Sequence, residues 1–173
     1  MITANGYKIM TNFSLCAPTV EMVNIRGETI TSICPSASYL NQMQFGTLME
    51  NVNTNRTDLA AYGLYFGNGA EPPTLDDYKL AGDVVSGFSV TKITTSEYDG
   101  ASAARTNVYT IANTSSTEIT ISEIGLVGYA WNSATSNNGH ALFDRTVLDE
   151  PVTIPAGGVG QVTYTIRMNY PTA

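Results

Sequence analysis

Residues 63–80 read GLYFGNGAEPPTLDDYKL, and this stretch decides how the rest of the chain is interpreted. Its opening LYF is apolar and aromatic, which is typical of a pleated and half-buried strand. Gly67 and Gly69 follow, separated by an asparagine, and they predict a turn whose backbone torsions would strain a larger side chain. Where φ is positive the strain costs about 1–3 kcal/mol at each position. We therefore expect replacement of both glycines with valine to impair folding or assembly.

After the strand, the same stretch continues as a stiff, non-helical segment. Pro72 and Pro73 each lack a backbone donor and restrict the residue before them, which excludes a helix here. The LDDYKL sequence that follows spaces apolar and aromatic residues to fix a short turn. Asp76 and Asp77 are interpreted as capping residues of that turn in preference to calcium ligands. The two prolines and the two preceding glycines form the predicted structural turn.

The composition excludes several classes of function. Of the 173 residues, 43% are hydrophobic and 13% are charged, against roughly 25% charged residues in typical soluble domains. Eight Lys and Arg residues face 15 Asp and Glu residues, for a net charge of −7, and no basic run exists. Phosphate backbones are bound by clustered Lys and Arg, so neither nucleic acid nor an anionic membrane is an expected partner. No signal peptide or membrane-spanning segment is expected either.

The two cysteines, Cys16 and Cys34, flank a predicted hairpin whose turn lies at residues 26–27. In that register Thr19 faces Cys34 across the hairpin, which leaves Cys16 without a cross-strand cysteine partner. Two reduced, partly buried thiols are therefore favoured over a structural disulfide.

The first 62 residues are predicted to be an N-terminal arm, a hairpin and a loop. The predicted parts are an arm or short first strand at 1–14, strands at 19–25 and 28–34, a short helix or a strand within 39–49, and a surface loop at 51–58.

Residues 63–173 are predicted to form an antiparallel β-sandwich of jelly-roll type, within one domain overall. Short alternating segments separated by turn residues indicate this architecture. The predicted strands after residue 80 are 88–96, 106–112, 118–122, 124–129, 141–148, 152–154 and 161–168. No heptad run or internal repeat is visible, which argues against a fibre shaft.

The sequence offers little for catalysis. His140 is the only histidine, and no nucleophile motif accompanies it or the nearby Asp144. The cysteines and the histidine are too far apart in sequence for a structural zinc site, and no phosphate loop or dinucleotide fingerprint is present. We therefore expect no catalytic residue, no metal and no cofactor. The rival hypothesis is a carbohydrate hydrolase.

Aromatic residues mark one candidate interface. Tyrosine is abundant, at ten residues, and it suits both sheet positions and protein interfaces. Tyr129, Trp131 and His140 flank a polar loop and form the candidate contact surface. Core packing is the favoured interpretation for Tyr129, Trp131 fits either role, and a sugar-binding platform is the alternative for the tyrosines in general.

Three segments in order resemble a family of small structural proteins of tailed bacteriophages. They are residues 63–80; ITISEIGLVGY at 119–129; and LFDRTVLDEPVTIPAGGVGQVTYTIRM at 142–168. The first is similar to the family's strand, glycine-rich turn and paired prolines. The second is similar to its "ITEIGL" pattern, and the third to its closing strands. The resemblance frames roughly the last 110 residues and is weaker over residues 1–62.

The resemblance implies a β-sandwich virion component and no enzymatic activity. The expected role is capsid decoration, in which a homo-oligomer such as a trimer binds the major capsid protein on the head of the virion. The alternatives are a neck, tail or fibre-attachment protein and a receptor-binding module, which would use residues 129–140.

Overall fold

The computed structural model describes residues 1–15, 19–33, 45–99, 101–130 and 139–169. Most of this part of the chain is β-strand. Its elements are α1 (Ala4–Leu15), β1 (Thr19–Val23), β2 (Thr29–Ile33), α2 (Phe45–Glu50), β3 (Gly63–Gly67), β4 (Phe88–Tyr98), β5 (Ser102–Asn113), β6 (Ile119–Ala130), β7 (Gly139–Ile154) and β8 (Val159–Asn169).

The strands of the described residues form three sheets. β1 and β2 make a hairpin, and the other two sheets have the strand orders β3-β6-β7 and β4-β5-β8. The pairings of β1 with β2, β3 with β6, and β5 with both β4 and β8 are antiparallel. The predicted all-β, antiparallel fold is therefore confirmed, and the jelly-roll connectivity stays a prediction.

The chain divides into two compact units. Unit 1 comprises Met1–Ser86 and Thr120–Pro151, and unit 2 comprises Gly87–Ile119 and Val152–Ala173. Each unit is therefore built from two separate segments of sequence. The division into residues 1–62 and 63–173 stays a prediction.

The short first strand expected at residues 1–14 is wrong, because α1 occupies most of this segment; the alternative of an arm stays a prediction. Thr3 begins the helix: its carbonyl accepts from the Tyr7 amide at 3.0 Å, and its hydroxyl accepts from the Gly6 amide at 3.3 Å. A threonine in this position satisfies amides that have no partner within the first turn. Buried Asn5 then joins α1 to β1 through two hydrogen bonds with the backbone of Val23, at 2.7 and 3.0 Å.

The hairpin is present, but its predicted register is wrong by one residue. Thr19 pairs with Ile33, because the connection is a three-residue loop at 25–27 with Gly27 at a φ of 81°. The Asn24 side chain causes the difference: its oxygen accepts from the amides of Arg26 and Glu28, each at 2.9 Å. Cys16 and Cys34 lie outside the described residues.

The strands predicted after residue 80 are present and longer than expected. The segments 118–122 and 124–129 belong to the single strand β6, and 141–148 and 152–154 both belong to β7. Within the predicted 39–49 region, α2 begins at Phe45 and ends at Glu50, and residues 39–44 lie outside the described part of the chain.

The core of unit 1 includes a residue from the segment after the prolines. A buried cluster is formed by Leu59, Tyr65, Leu80, Val127 and Leu142. Leu80 therefore fixes the end of this segment, as the spacing of LDDYKL predicts. The Tyr65 hydroxyl donates to the Ala61 carbonyl at 3.0 Å, and burial raises the pKa of Tyr65 to about 12.

In unit 2, β5 is the central strand. Its buried side chains include Tyr109 and Ile111, and Val162 and Tyr164 of β8 are also buried. The Asn113 side chain at the end of β5 donates to the carbonyls of Thr117, Ile154 and Pro155 at 2.7, 3.0 and 3.1 Å.

Candidate functional site

The most unusual group in unit 1 is a buried arginine within a strand. Arg145 of β7 is 1% exposed. Its Nε donates to Glu123 Oε2 at 2.7 Å, and its Nη1 donates to Asp77 Oδ2 at 2.9 Å. Its Nη2 donates to the Glu71 carbonyl at 2.8 Å, and Nη1 also lies 3.5 Å from the Pro72 carbonyl. All three guanidinium nitrogens are therefore hydrogen-bonded within the protein.

Glu123 of β6 holds both ends of the segment that follows β3. We call residues 68–83 the excursion. Glu123 is 0% exposed. Its Oε1 accepts from the amides of Gly69 and Gly82 at 3.0 and 2.8 Å, and its Oε2 accepts from the amide of Ala81 at 3.2 Å. One carboxylate thus pairs with a buried cation and closes the base of the excursion.

Asp77 connects the middle of the excursion to the same arginine. Its two oxygens accept from the amide and the hydroxyl of Thr74 at 2.9 and 2.8 Å, which confirms the expected capping of a short turn for Asp77; the same expectation for Asp76 stays a prediction. Partial burial opposes ionisation, but the hydrogen bonds from Thr74 and Arg145 hold the pKa of Asp77 below its usual range. Burial likewise opposes the charge on Arg145, yet Asp77 and Glu123 raise its pKa.

The predicted turn residues lie at and within the excursion. The two glycines are required there for a different reason than expected. Neither Gly67 nor Gly69 has a positive φ, so the expected torsional strain is wrong. Both are required by space: a Cβ on Gly67 would lie 2.7 Å from Glu123 Oε1, and one on Gly69 would lie 2.4 Å from the Gly82 amide nitrogen. Gly67 pairs directly with Glu123 between β3 and β6, which explains the close approach.

The Arg145 network, which comprises Arg145, Glu123 and Asp77, joins the three segments that carry the resemblance. Asp77 lies in residues 63–80, Glu123 in 119–129 and Arg145 in 142–168. Pro72 and Pro73 stiffen the part of the excursion that lies over the arginine. The arrangement fixes the shape of a surface segment, and a small cleft of about 150 Å³ lies beside it.

Of the candidate interface residues, the structure brings two together. The rings of Tyr129 and His140 meet edge to face with 5.5 Å between their centroids, while Trp131 lies outside the described residues. His140 also borders a recess of about 250 Å³ together with Arg26 of the hairpin loop and Glu28, which follows the loop. Burial and, to a smaller extent, Arg56 lower the pKa of His140, so its imidazole favours the neutral form.

Among the described residues, no group of three or more His, Cys, Asp or Glu side chains is placed to hold a metal ion. No helix in the part of the chain that the structure describes is long and apolar enough to cross a membrane.

Comparison with known proteins gives no relative for this chain. No family model, no curated protein and no solved structure matches it. Its function must therefore be argued from its own residues and geometry.

Sequence reasoning missed Arg145 and Glu123 as site residues, although one signal was available. Each is a charged residue within a mainly apolar run, in ALFDRTVL, which also holds Asp144, and in ITISEIGL, in a chain with few charges. Charged side chains are almost never fully buried unless they are paired, so two opposite charges in apolar strands predict a buried ion pair. The signal does not identify Asp77, which lies in a polar turn.

Proposed function

We propose that this chain is a structural component of a tailed-phage virion, and more specifically a capsid decoration protein that stabilises the head. The proposal makes the major capsid protein its partner and the virion its location. It acts as a homo-oligomer such as a trimer, with no catalytic step, metal or cofactor.

The observation that carries the proposal is the junction of the three phage-like segments at the Arg145 network. A buried ion pair contributes little net stability, because desolvation offsets most of the attraction. Its value here is to hold an exposed segment in one shape. A pre-organised surface loses less conformational entropy on docking, which suits a protein that binds many equivalent sites on a shell.

The composition supports the same role. The low charged fraction and the net charge of −7 come with many neutral hydrogen-bonding residues and with no basic run for packaged DNA. A homo-oligomer of this chain would be expected to have closed point symmetry, as most soluble homo-oligomers do.

The decisive measurement is the copy number per particle, obtained by quantitative mass spectrometry of purified virions of the phage that encodes the chain. Hundreds of copies support decoration of the head. About a dozen copies contradict it and favour the neck or tail, and absence from the particle contradicts every virion role.

A second measurement tests the stabilising role directly. Capsids that lack the protein are heated with and without added purified chain, and DNA release is followed by dye fluorescence. We expect release at a higher temperature with the chain present. Addition of Arg145→Met chain should protect less than addition of Arg56→Met chain, because Arg145 fixes the excursion and Arg56 pairs with Asp58 at the surface.

The receptor-binding alternative has one observation in its favour, the recess bordered by His140, whose ring contacts that of Tyr129. It predicts that the purified chain adsorbs to host cells and that His140→Ala weakens adsorption. The carbohydrate hydrolase alternative predicts depolymerisation of host polysaccharide that is lost on replacing one acidic residue. We expect neither activity.

A further inference from the structure

The excursion begins with an Asn-Gly pair, Asn68–Gly69, which is chemically the least stable kind of asparagine peptide. Asparagine is a thermolabile residue, because the backbone nitrogen of the next residue attacks its side-chain amide. A glycine in the next position presents no side chain to obstruct that attack and leaves the backbone free to turn. The chain contains three such pairs, at residues 5–6, 68–69 and 138–139. Of the first two, only Asn68 is exposed to solvent.

In the folded chain, both groups that would react at this pair are held by other partners. The side-chain oxygen of Asn68 accepts from the Asp83 amide at 2.8 Å, and the backbone amide of Asn68 donates to the Asp83 carbonyl at 3.2 Å. The Gly69 amide, whose nitrogen would attack, donates to Glu123 Oε1 at 3.0 Å. The carboxamide is therefore held against the returning end of the excursion.

The contact with Glu123 also opposes the chemistry of the attack. The Gly69 nitrogen must lose its proton before it becomes a nucleophile. That loss would place an anionic nitrogen beside the carboxylate of Glu123, which is 0% exposed. A like charge nearby disfavours the charged form of a group. The docked excursion therefore blocks the reaction.

The Arg145 network sets how often this block is released. Glu123 holds Gly69, and Arg145 in turn holds both Glu123 and Asp77. Without the guanidinium, the buried carboxylate would lose its cation and the middle of the excursion would lose its ion pair. Both losses favour the local opening of a segment whose remaining contacts are few.

We propose that Asn68 is a deamidation site that reacts only when the excursion leaves Glu123, and that its modification then prevents the excursion from docking again. The inference does not depend on the proposed function. It assigns a modification site to the start of the excursion and makes the Arg145 network its guard.

The reaction needs only water as a co-reactant. In the open state the Gly69 amide gives its proton to hydroxide, and its nitrogen forms a bond to Asn68 Cγ. The bond from Cγ to the side-chain nitrogen breaks, and that nitrogen takes a proton from water and leaves as ammonia. Water then opens the resulting five-membered imide at one of its two carbonyls, which yields aspartate or isoaspartate at residue 68.

Isoaspartate at residue 68 prevents docking for a geometric reason. Its main chain runs through the former side chain, which adds one carbon to the backbone before Gly69. The space around Gly69 is already full, because a Cβ there would lie 2.4 Å from the Gly82 amide nitrogen and 2.5 Å from Glu123 Oε1. A displaced Gly69 therefore has no room in which to regain its bond to Glu123. Since hydrolysis does not restore the amide, the change is one-way.

Peptide mapping by mass spectrometry tests the site in the full-length chain during incubation at mildly alkaline pH. Wild-type Asn68 should deamidate much more slowly in the folded chain than in urea. Arg145→Met should accelerate the reaction in the folded chain at least about 10-fold, because a broken buried pair favours the open state. Arg56→Met, which removes an exposed pair with Asp58, should leave the rate unchanged. Equal rates in folded and urea-unfolded wild-type chain would overturn the proposal.

The pair Asn5–Gly6 is the control within the same molecule. Asn5 lies in α1 and is bonded to the backbone of Val23, so its protection does not depend on Glu123. Arg145→Met should therefore accelerate the reaction at Asn68 and not at Asn5. Equal acceleration at both sites would show general unfolding and contradict a guard specific to the excursion.

A milder variant keeps the test valid if Arg145→Met does not fold. Asp77→Asn removes only the partly exposed pair with Arg145 and should accelerate deamidation of Asn68 about 2- to 10-fold. An unchanged rate in this folded variant would contradict the role of the network.

Hydrogen exchange tests the one-way step. After incubation, chain with isoaspartate at residue 68 is separated by chromatography, and exchange is followed in the peptide that spans the excursion. This form should exchange faster than wild type at the amides of Gly69 and Gly82. Asn68→Asp is the matched control, because it keeps the backbone length and an oxygen for the Asp83 amide, and it should stay close to wild type. Wild-type protection in the isoaspartate form would contradict the proposal.

Discussion

Arg145 is the residue whose loss we expect to cost unit 1 the most stability. Arg145→Met would leave the carboxylate of Glu123 buried without its cation, and breaking a buried pair in this way costs about 3–5 kcal/mol. Urea unfolding followed by circular dichroism measures the change. Arg56→Met is the matched control, since Arg56 pairs with Asp58 at the surface of the same unit and exposed pairs contribute about 0–1 kcal/mol. Equal losses in both variants would contradict the role of the Arg145 network.

A comparison of Gly69 with Gly157 distinguishes two reasons for a glycine, namely lack of space for a side chain and a positive φ. A Cβ there would lie 2.5 Å from Glu123 Oε1, so Gly69→Asn should destabilise the protein by about 1–3 kcal/mol through overpacking. Gly157 has a φ of 72° and open space around it, and asparagine tolerates that conformation. Gly157→Asn should therefore change the unfolding free energy little. Similar results at both positions would show that space is not the limiting factor at Gly69.

At the scale of elements, the turn of the excursion should respond to acid. Asp77 has a lowered pKa in the folded protein, so the unfolded chain binds its proton more readily. The resulting stability is complete above the ordinary value of 3.8 and is lost as the pH falls through the lower folded value. Asp77→Asn should reduce the loss of stability in this range, as measured by urea unfolding at several acidic pH values.

A second measurement on the same turn tests the cause of the pKa shift. Thr74→Val removes the hydroxyl that donates to Asp77. NMR titration of the Asp77 carboxyl should then show a pKa closer to the ordinary value. An unchanged titration would mean that the Thr74 hydroxyl does not contribute.

The elements also show why sequence patterns succeed in one half of the chain and fail in the other. β8 alternates between Val162, Tyr164 and Ile166 on one face and threonines on the other, and this period of two predicts a strand directly. α1 has no such regular pattern, and Gly6 lowers its helix propensity. Close packing requires that glycine, because a Cβ on Gly6 would lie 2.1 Å from the carbonyl oxygen of Phe143.

At the scale of the whole molecule, the charge balance predicts how the chain behaves toward nucleic acid. With eight basic residues, 15 acidic residues and no basic run, we expect no electrophoretic shift of double-stranded DNA at physiological salt. Binding that weakens steeply as salt is raised would reveal contacts to phosphate and contradict this expectation. A known DNA-binding protein in the same assay serves as the control.

The sequence by itself determined the all-β class, most of the strands, the capped turn within the excursion and the lack of a basic run. These properties depend on local spacing and on composition, which a sequence states directly. Only the tertiary structure decided that Arg145 lies within reach of Glu123, 22 residues away, and of Asp77, 68 residues away. Alternation tells which face of a strand a side chain occupies, but not which distant strand or turn faces it. Whether a charge is buried and paired is settled by that neighbour, because desolvation and ion pairing act through space and not along the chain.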